Sequence, residues 1–135
     1  MTEALERTEY TFRKHVSAPY EKAIEQVTAA LKEEGFGVLT EIDVRDTFRK
    51  KLDVEFPRYV ILGACNPPLA HQALLAEREL GALLPCNVIV YDDEEGGSVV
   101  SAVNPHAMLG VVQNPALDAI AEDVARRMQR VLEAL

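Results

Sequence analysis

The sequence predicts an α+β domain, a two-layer sandwich of helices on a mostly antiparallel sheet. Two long segments carry apolar residues at helical spacing, whereas five short ones alternate or run apolar as strands do. Helices and strands follow one another as they do where the two layers segregate, and 135 residues are enough for one core. Residues 1–8 are polar and read as a loose tail, which leaves 9–135 as a single domain.

In YTFRKHV, Tyr10, Phe12 and Val16 share one face of a first strand. Pro19 suits a first helical turn, and Tyr20, Ala23, Ile24, Val27, Ala30 and Leu31 recur at helical spacing until Gly35 stops the helix. FGVLTEIDV alternates, which sends Phe36, Val38, Ile42 and Val44 to the core and Glu41 and Asp43 outward. A short amphipathic helix over 46–53 would bury Phe48 and Leu52, and Pro57 turns the chain into the strand YVILGAC.

Asn66-Pro67-Pro68 is a helix start: asparagine accepts from an early amide, and proline sits where an N–H needs no partner. A helix over 68–76 follows, then the looser ERELGALL. CNVIVYDD, EEGG and SVVSAVN read as strand, turn and strand of a hairpin. PHAMLGVVQ has no clear period and reads as a loop or short helical turn under the sheet. Asn114-Pro115 repeats the helix-start chemistry, and Leu117, Ile120, Ala121, Val124, Met128, Val131, Leu132 and Leu135 make one stripe of a long helix. The rival arrangement is a parallel β-α-β unit from YVILGAC to CNVIVYD, a connection long enough for a crossover.

Composition narrows the function. A formal charge of −8 would repel a phosphate backbone, so nucleic acid is not an expected partner; Arg45, Arg49, Lys50, Lys51 and Arg58 read as a solvated face. No signal-peptide pattern and no apolar run long enough for a membrane span are present, which predicts a cytoplasmic protein without a membrane partner. In that reducing compartment two cysteines stay free thiols, and two are too few to form a zinc site unaided.

The most distinctive chemistry is a pair of dipeptides, Cys65-Asn66 and Cys86-Asn87. Cys65 ends its strand just before a helix start, where unpaired amides and the helix dipole favour a thiolate; the alternative is a buried thiol that only packs. Topology decides whether Cys65 and Cys86 can meet. Antiparallel neighbours bring them together, whereas parallel strands hold them about 20 Å apart. His71 and His106 make a mixed Cys/His metal site imaginable, but the short ligand spacing of zinc motifs is missing. No metal and no cofactor is predicted. A phosphate loop and a nucleophile elbow are also missing, and the three Asn-Pro pairs each have a backbone reason.

GFGVLTEIDV, RYVILGACNPPLAHQALL and LLPCNVIVYDD, in this order and spacing over residues 35–105, resemble the family called domain of unknown function 302. The resemblance implies a β-α-β(4)-α fold similar to the TATA-binding-protein-like class, an antiparallel sheet and a homodimer, and no established activity. The family pattern keeps the elements here formed by Asn66, Pro67, Leu84 and Pro85 more dependably than either cysteine. Thiol chemistry would then belong to the subset carrying Cys-Asn-Pro and Pro-Cys-Asn.

Three functions remain open. The first is a small-ligand-binding domain, favoured over an enzyme without deciding between them, whose anion or thiol site gathers Cys65, Asn66, Pro67, Cys86 and Asn87. The second is a thiol redox or sulfur-carrier protein. The third is a dimeric regulatory module in which the cysteines merely pack.

Overall fold

A computed structural model describes residues 4–135. The strands are β1 (Glu6–Arg7), β2 (Thr11–Val16), β3 (Gly37–Asp43), β4 (Tyr59–Cys65), β5 (Cys86–Asp92) and β6 (Ser98–Val103). The helices are α1 (Tyr20–Glu33), α2 (Val44–Leu52), α3 (Pro67–Ala76), α4 (Pro105–Gly110) and α5 (Asp118–Glu133). Single 3-10 segments occupy Arg78–Leu83 and Pro115–Leu117. The sheet order is β1-β2-β6-β5-β4-β3, and every neighbouring pair is antiparallel. This is the α+β architecture expected, and the β4–β5 pairing excludes the parallel crossover.

Helices α1 and α5 lie on one face of the sheet. Alternate residues of the inner strands supply the core beneath them: Phe12 and Val16, Val60, Leu62 and Ala64, Val88 and Val90, Val100 and Ala102. The facing stripes are Ala23, Val27 and Leu31 on α1, and Val124, Met128, Val131 and Leu132 on α5, as their helical periods require. Gly35, at a φ of 85°, lets the chain leave α1, with the amide of Phe36 donating to Leu31 O at 2.9 Å. Lys14 is also buried on this face, and its Nζ donates to the carbonyls of Leu132 at 3.2 Å and Leu135 at 2.9 Å. It thereby satisfies acceptors that the end of α5 leaves open.

Four expectations are corrected. Glu6 and Arg7 pair with β2, so ordered backbone begins within the stretch read as a tail, of which residues 1–3 lie outside the described residues. Tyr10 precedes β2 and is 67% exposed, because the helical layer covers the strand only from Phe12 onward. In β3 the register slips between Val38 and Thr40. One extra residue reverses the alternation. Ile42 therefore turns from the covered face to the other and is 48% exposed, while Val44 has already entered α2. Helix α2 buries no residue fully, and Leu52 is 64% exposed. Phe48 instead packs edge-on against Phe56 at 5.1 Å, because α2 lies at the sheet margin.

The second face of the sheet carries no helical layer comparable to α1 and α5. It shows Tyr59, Ile61, Ile89, Tyr91 and Arg13, with Tyr59 and Tyr91 stacked at 5.5 Å. No helix among the described residues is long and apolar enough to cross a membrane.

Candidate functional site

Antiparallel pairing of β4 with β5 places the end of one strand beside the start of the other. Ala64 stands opposite Cys86, so the two cysteines lie at the same end of the sheet on adjacent strands. Successive residues of a strand point to opposite faces. Cys86 shares the face of its partner Ala64 and packs against the main core, whereas Cys65, one residue further on, leaves by the other face.

Where the strands end, a cavity of about 310 Å³ opens, bordered by both cysteines. Its remaining walls come from Leu69, Ala73 and Leu74 of α3, Leu80 and Leu84 after it, Met108 and Leu109 of α4, and Ile120 and Val124 of α5. No ionisable side chain other than the two thiols borders it. The looser stretch after α3 thus acquires a function in packing. Leu80 is buried with Ala73, Leu109, Leu117 and Ala121 in a second small core that supports this end of the molecule.

The anion cradle expected at the start of α3 has no free donors. Pro67 and Pro68 carry no N–H, the Leu69 amide donates to Asn66 Oδ1 at 3.3 Å, and the Ala70 amide donates to Asn66 O at 2.9 Å. Asn66 itself is buried, and its Nδ2 reaches Glu34 O at 3.5 Å, tying α3 to the end of α1. Asn104 and Asn114 do the same backbone work, each accepting an amide at 3.0 Å.

The Cys86 thiol is pushed up to about 11, chiefly by burial and then by the neighbouring Cys65. It is therefore a protonated, soft wall of the cavity at neutral pH. Asn87 is exposed on the free face, and Pro67 is exposed on the outside of the α3 start. Of the five residues picked out by sequence, the structure thus gathers Cys65, Asn66 and Cys86 at the cavity and sends Pro67 and Asn87 elsewhere. Leu84 and Pro85 also border it, and Pro85 packs so closely over Gly63 that a Cβ there would lie 2.8 Å from its Cγ.

Among the described residues, no three His, Cys, Asp or Glu side chains gather as metal ligands. His71 is exposed on α3, and His106 Nε2 lies 3.0 Å from Glu122 Oε2.

Comparison with known proteins gives one consistent answer. No curated protein matches the chain. A crystal structure described as an uncharacterized conserved DUF302 protein from Bacillus stearothermophilus is similar at 31% identity and a TM-score of 0.86. The alignment covers 94% of this chain and 98% of that one. The family described as Domain of unknown function DUF302 matches residues 12–135, beyond the 35–105 segment that carries the resemblance in sequence, and the chain belongs to that family.

Proposed function

We propose that this chain is a small-ligand-binding domain of the cytoplasm whose site is the cavity at the β4–β5 strand ends, and that the site takes an uncharged, apolar group. The observation that carries this reading is the character of the walls. They are aliphatic side chains, a methionine, two thiols and the Asn66 carboxamide, which is held by Glu34 O and the Leu69 amide, with no fixed charge. Well-packed interiors leave few voids of this size, and apolar pockets with few polar groups are the usual form of small-molecule sites. The helix-start geometry, read from sequence as an anion site, supports the wall by fixing Asn66 instead.

Titration with N-phenyl-1-naphthylamine, whose fluorescence rises in apolar surroundings, tests the reading. We expect saturable binding to the wild-type protein and at least tenfold weaker binding to Ala73→Phe, which fills the cavity from α3. Circular dichroism would check that the variant folds. Binding that is unsaturable, or indifferent to the variant, would end the proposal.

A dimeric module is favoured by one observation, the aromatic row Phe48, Phe56, Tyr59 and Tyr91 along the sheet margin, with centroid spacings of 5.1, 6.1 and 5.5 Å. Sedimentation equilibrium of wild type and Phe56→Glu tests it: a dimer converted to monomer supports this reading, and a wild-type monomer removes it. A redox pair has less support, because Cys65 and Cys86 leave opposite faces and burial holds Cys86 protonated.

A further inference from the structure

The open sheet ends in two unlike edges. β1 closes one side with two residues, whereas β3 runs along the other for seven. Six of those seven residues are exposed, so no helix or loop among the described residues covers that edge. A bare edge offers a row of amides and carbonyls to another strand, and proteins ordinarily shorten it, bulge it or cover it. β3 is neither short nor covered, and its bulge lies near its start, between Val38 and Thr40. Thr40 to Asp43 pair in regular register with Gly63 to Val60 of β4.

Exposed apolar surface gathers at the same margin. Leu39 and Ile42 on β3, and Leu52, Val54 and Phe56 at and after the end of α2, are five of the ten large hydrophobic residues that the described chain exposes. All five fall within the segment 39–56, so the surface is concentrated and not scattered. Helix α2, which joins them, buries no residue fully. Apolar surface gathered in this way marks a contact surface.

We propose that β3 is a dimer edge, along which the β3 strands of two copies pair antiparallel about a twofold axis between Glu41 and Ile42. Charge selects this register. It sets Glu41 opposite the partner's Ile42 and Thr40 opposite the partner's Asp43, so each carboxylate faces an uncharged residue. An axis on Glu41 or on Ile42 would set carboxylate against carboxylate, which opposes pairing, and an axis on Thr40 would run the pairing into the bulge. Because β1 is too short to serve as a second edge, the pairing closes at two chains and does not propagate. This rests on the dimeric reading above and adds its surface and register.

Sedimentation equilibrium of the full chain tests the proposal. The wild type should be a dimer. Ile42→Glu, which sets a carboxylate against the partner's Glu41 on both sides of the axis, should weaken it at least about tenfold. Adding Glu41→Lys to that variant should restore most of the loss, a rescue that a general disturbance of the strand would not give. Circular dichroism checks that each variant folds. As an independent measurement, a mixture of Glu41→Cys and Ile42→Cys, oxidised with copper phenanthroline in air, should give a disulfide between the two variants that neither gives alone, located by tryptic mass spectrometry. A dimer that Phe56→Glu splits but Ile42→Glu leaves intact overturns the edge and keeps the dimeric reading. Loss without rescue, or a mixture that gives no such disulfide, overturns the register and the proposal with it. A monomeric wild type removes both.

Discussion

The two faces of β4 and β5 are built from one strand pair and obey different rules. On the covered face Val60, Leu62, Ala64, Val88 and Val90 are each no more than 2% exposed under α1 and α5. On the other, Tyr59, Ile61, Ile89 and Tyr91 are only half-buried, and Asn87 is open. Neighbouring residues in one strand therefore differ in the transfer free energy they gain, although they share backbone and register. The fully buried side chains of this strand pair lie on one face.

The sharpest way to break that contrast is to truncate adjacent residues. Leu62→Ala should cost about 3 kcal/mol, within the range for fully buried leucines, whereas Ile61→Ala next to it should cost about 1 kcal/mol because water already reaches its site. Urea unfolding of the two variants, analysed as midpoints at a common slope, gives both numbers. Equal losses would mean that the free face is covered in solution, which would move weight to the dimeric reading.

Much of the covered face was legible in the chain. The stripes of α1 and α5 repeat at 3.6 residues, the EEGG turn joins two apolar runs, and the Asn-Pro pairs at 66 and 114 announce helix starts that the structure contains. The free face was less legible, because nothing local records what a third layer leaves uncovered. The slip at Leu39 turned Ile42 outward and is invisible to a period-2 reading. Lys14 carries no local sign of burial, because its acceptors come from the far end of α5. The two-residue β1 is too short and polar to register as a strand.

The site divides along the same line. The Cys-Asn dipeptides pointed to the end of the sheet where the cavity opens, and the antiparallel reading brought the thiols there. What the dipeptides obscured is that adjacent residues in a strand cannot share a face, so Cys86 and Asn87 were never candidates for one surface. The aliphatic walls of the cavity left no local signature, because Leu80 and Leu84 lie in a segment without period and meet α4 and α5 only in the fold. The double proline, read as a helix start, carried one more deduction: with two amides missing and two satisfied by Asn66, an anion finds no donor.

A smaller and finer test uses the cysteines, one on each face. The Cys86 thiol titrates at about 11 in the folded protein, against an ordinary 9.0. A folded value raised above the unfolded one leaves stability intact below pH 9 and removes it as pH climbs through 11, since the unfolded chain loses its proton first. Two units correspond to roughly 2 to 3 kcal/mol at full effect, an upper bound for a group that is half-buried by area. Tyr20, held up to about 12 mainly by burial, weakens the fold in the same direction at still higher pH. The Cys86 part is therefore the difference between wild type and Cys86→Ala in their stability loss from pH 8 to 11, measured by urea unfolding. The same burial should make Cys86 in a Cys65→Ser background react with iodoacetamide at pH 8 at least tenfold more slowly than in the unfolded chain. A Cys86→Ala variant with an unchanged pH profile, or alkylation of folded Cys86 at the unfolded rate, would show that the thiol is open to water.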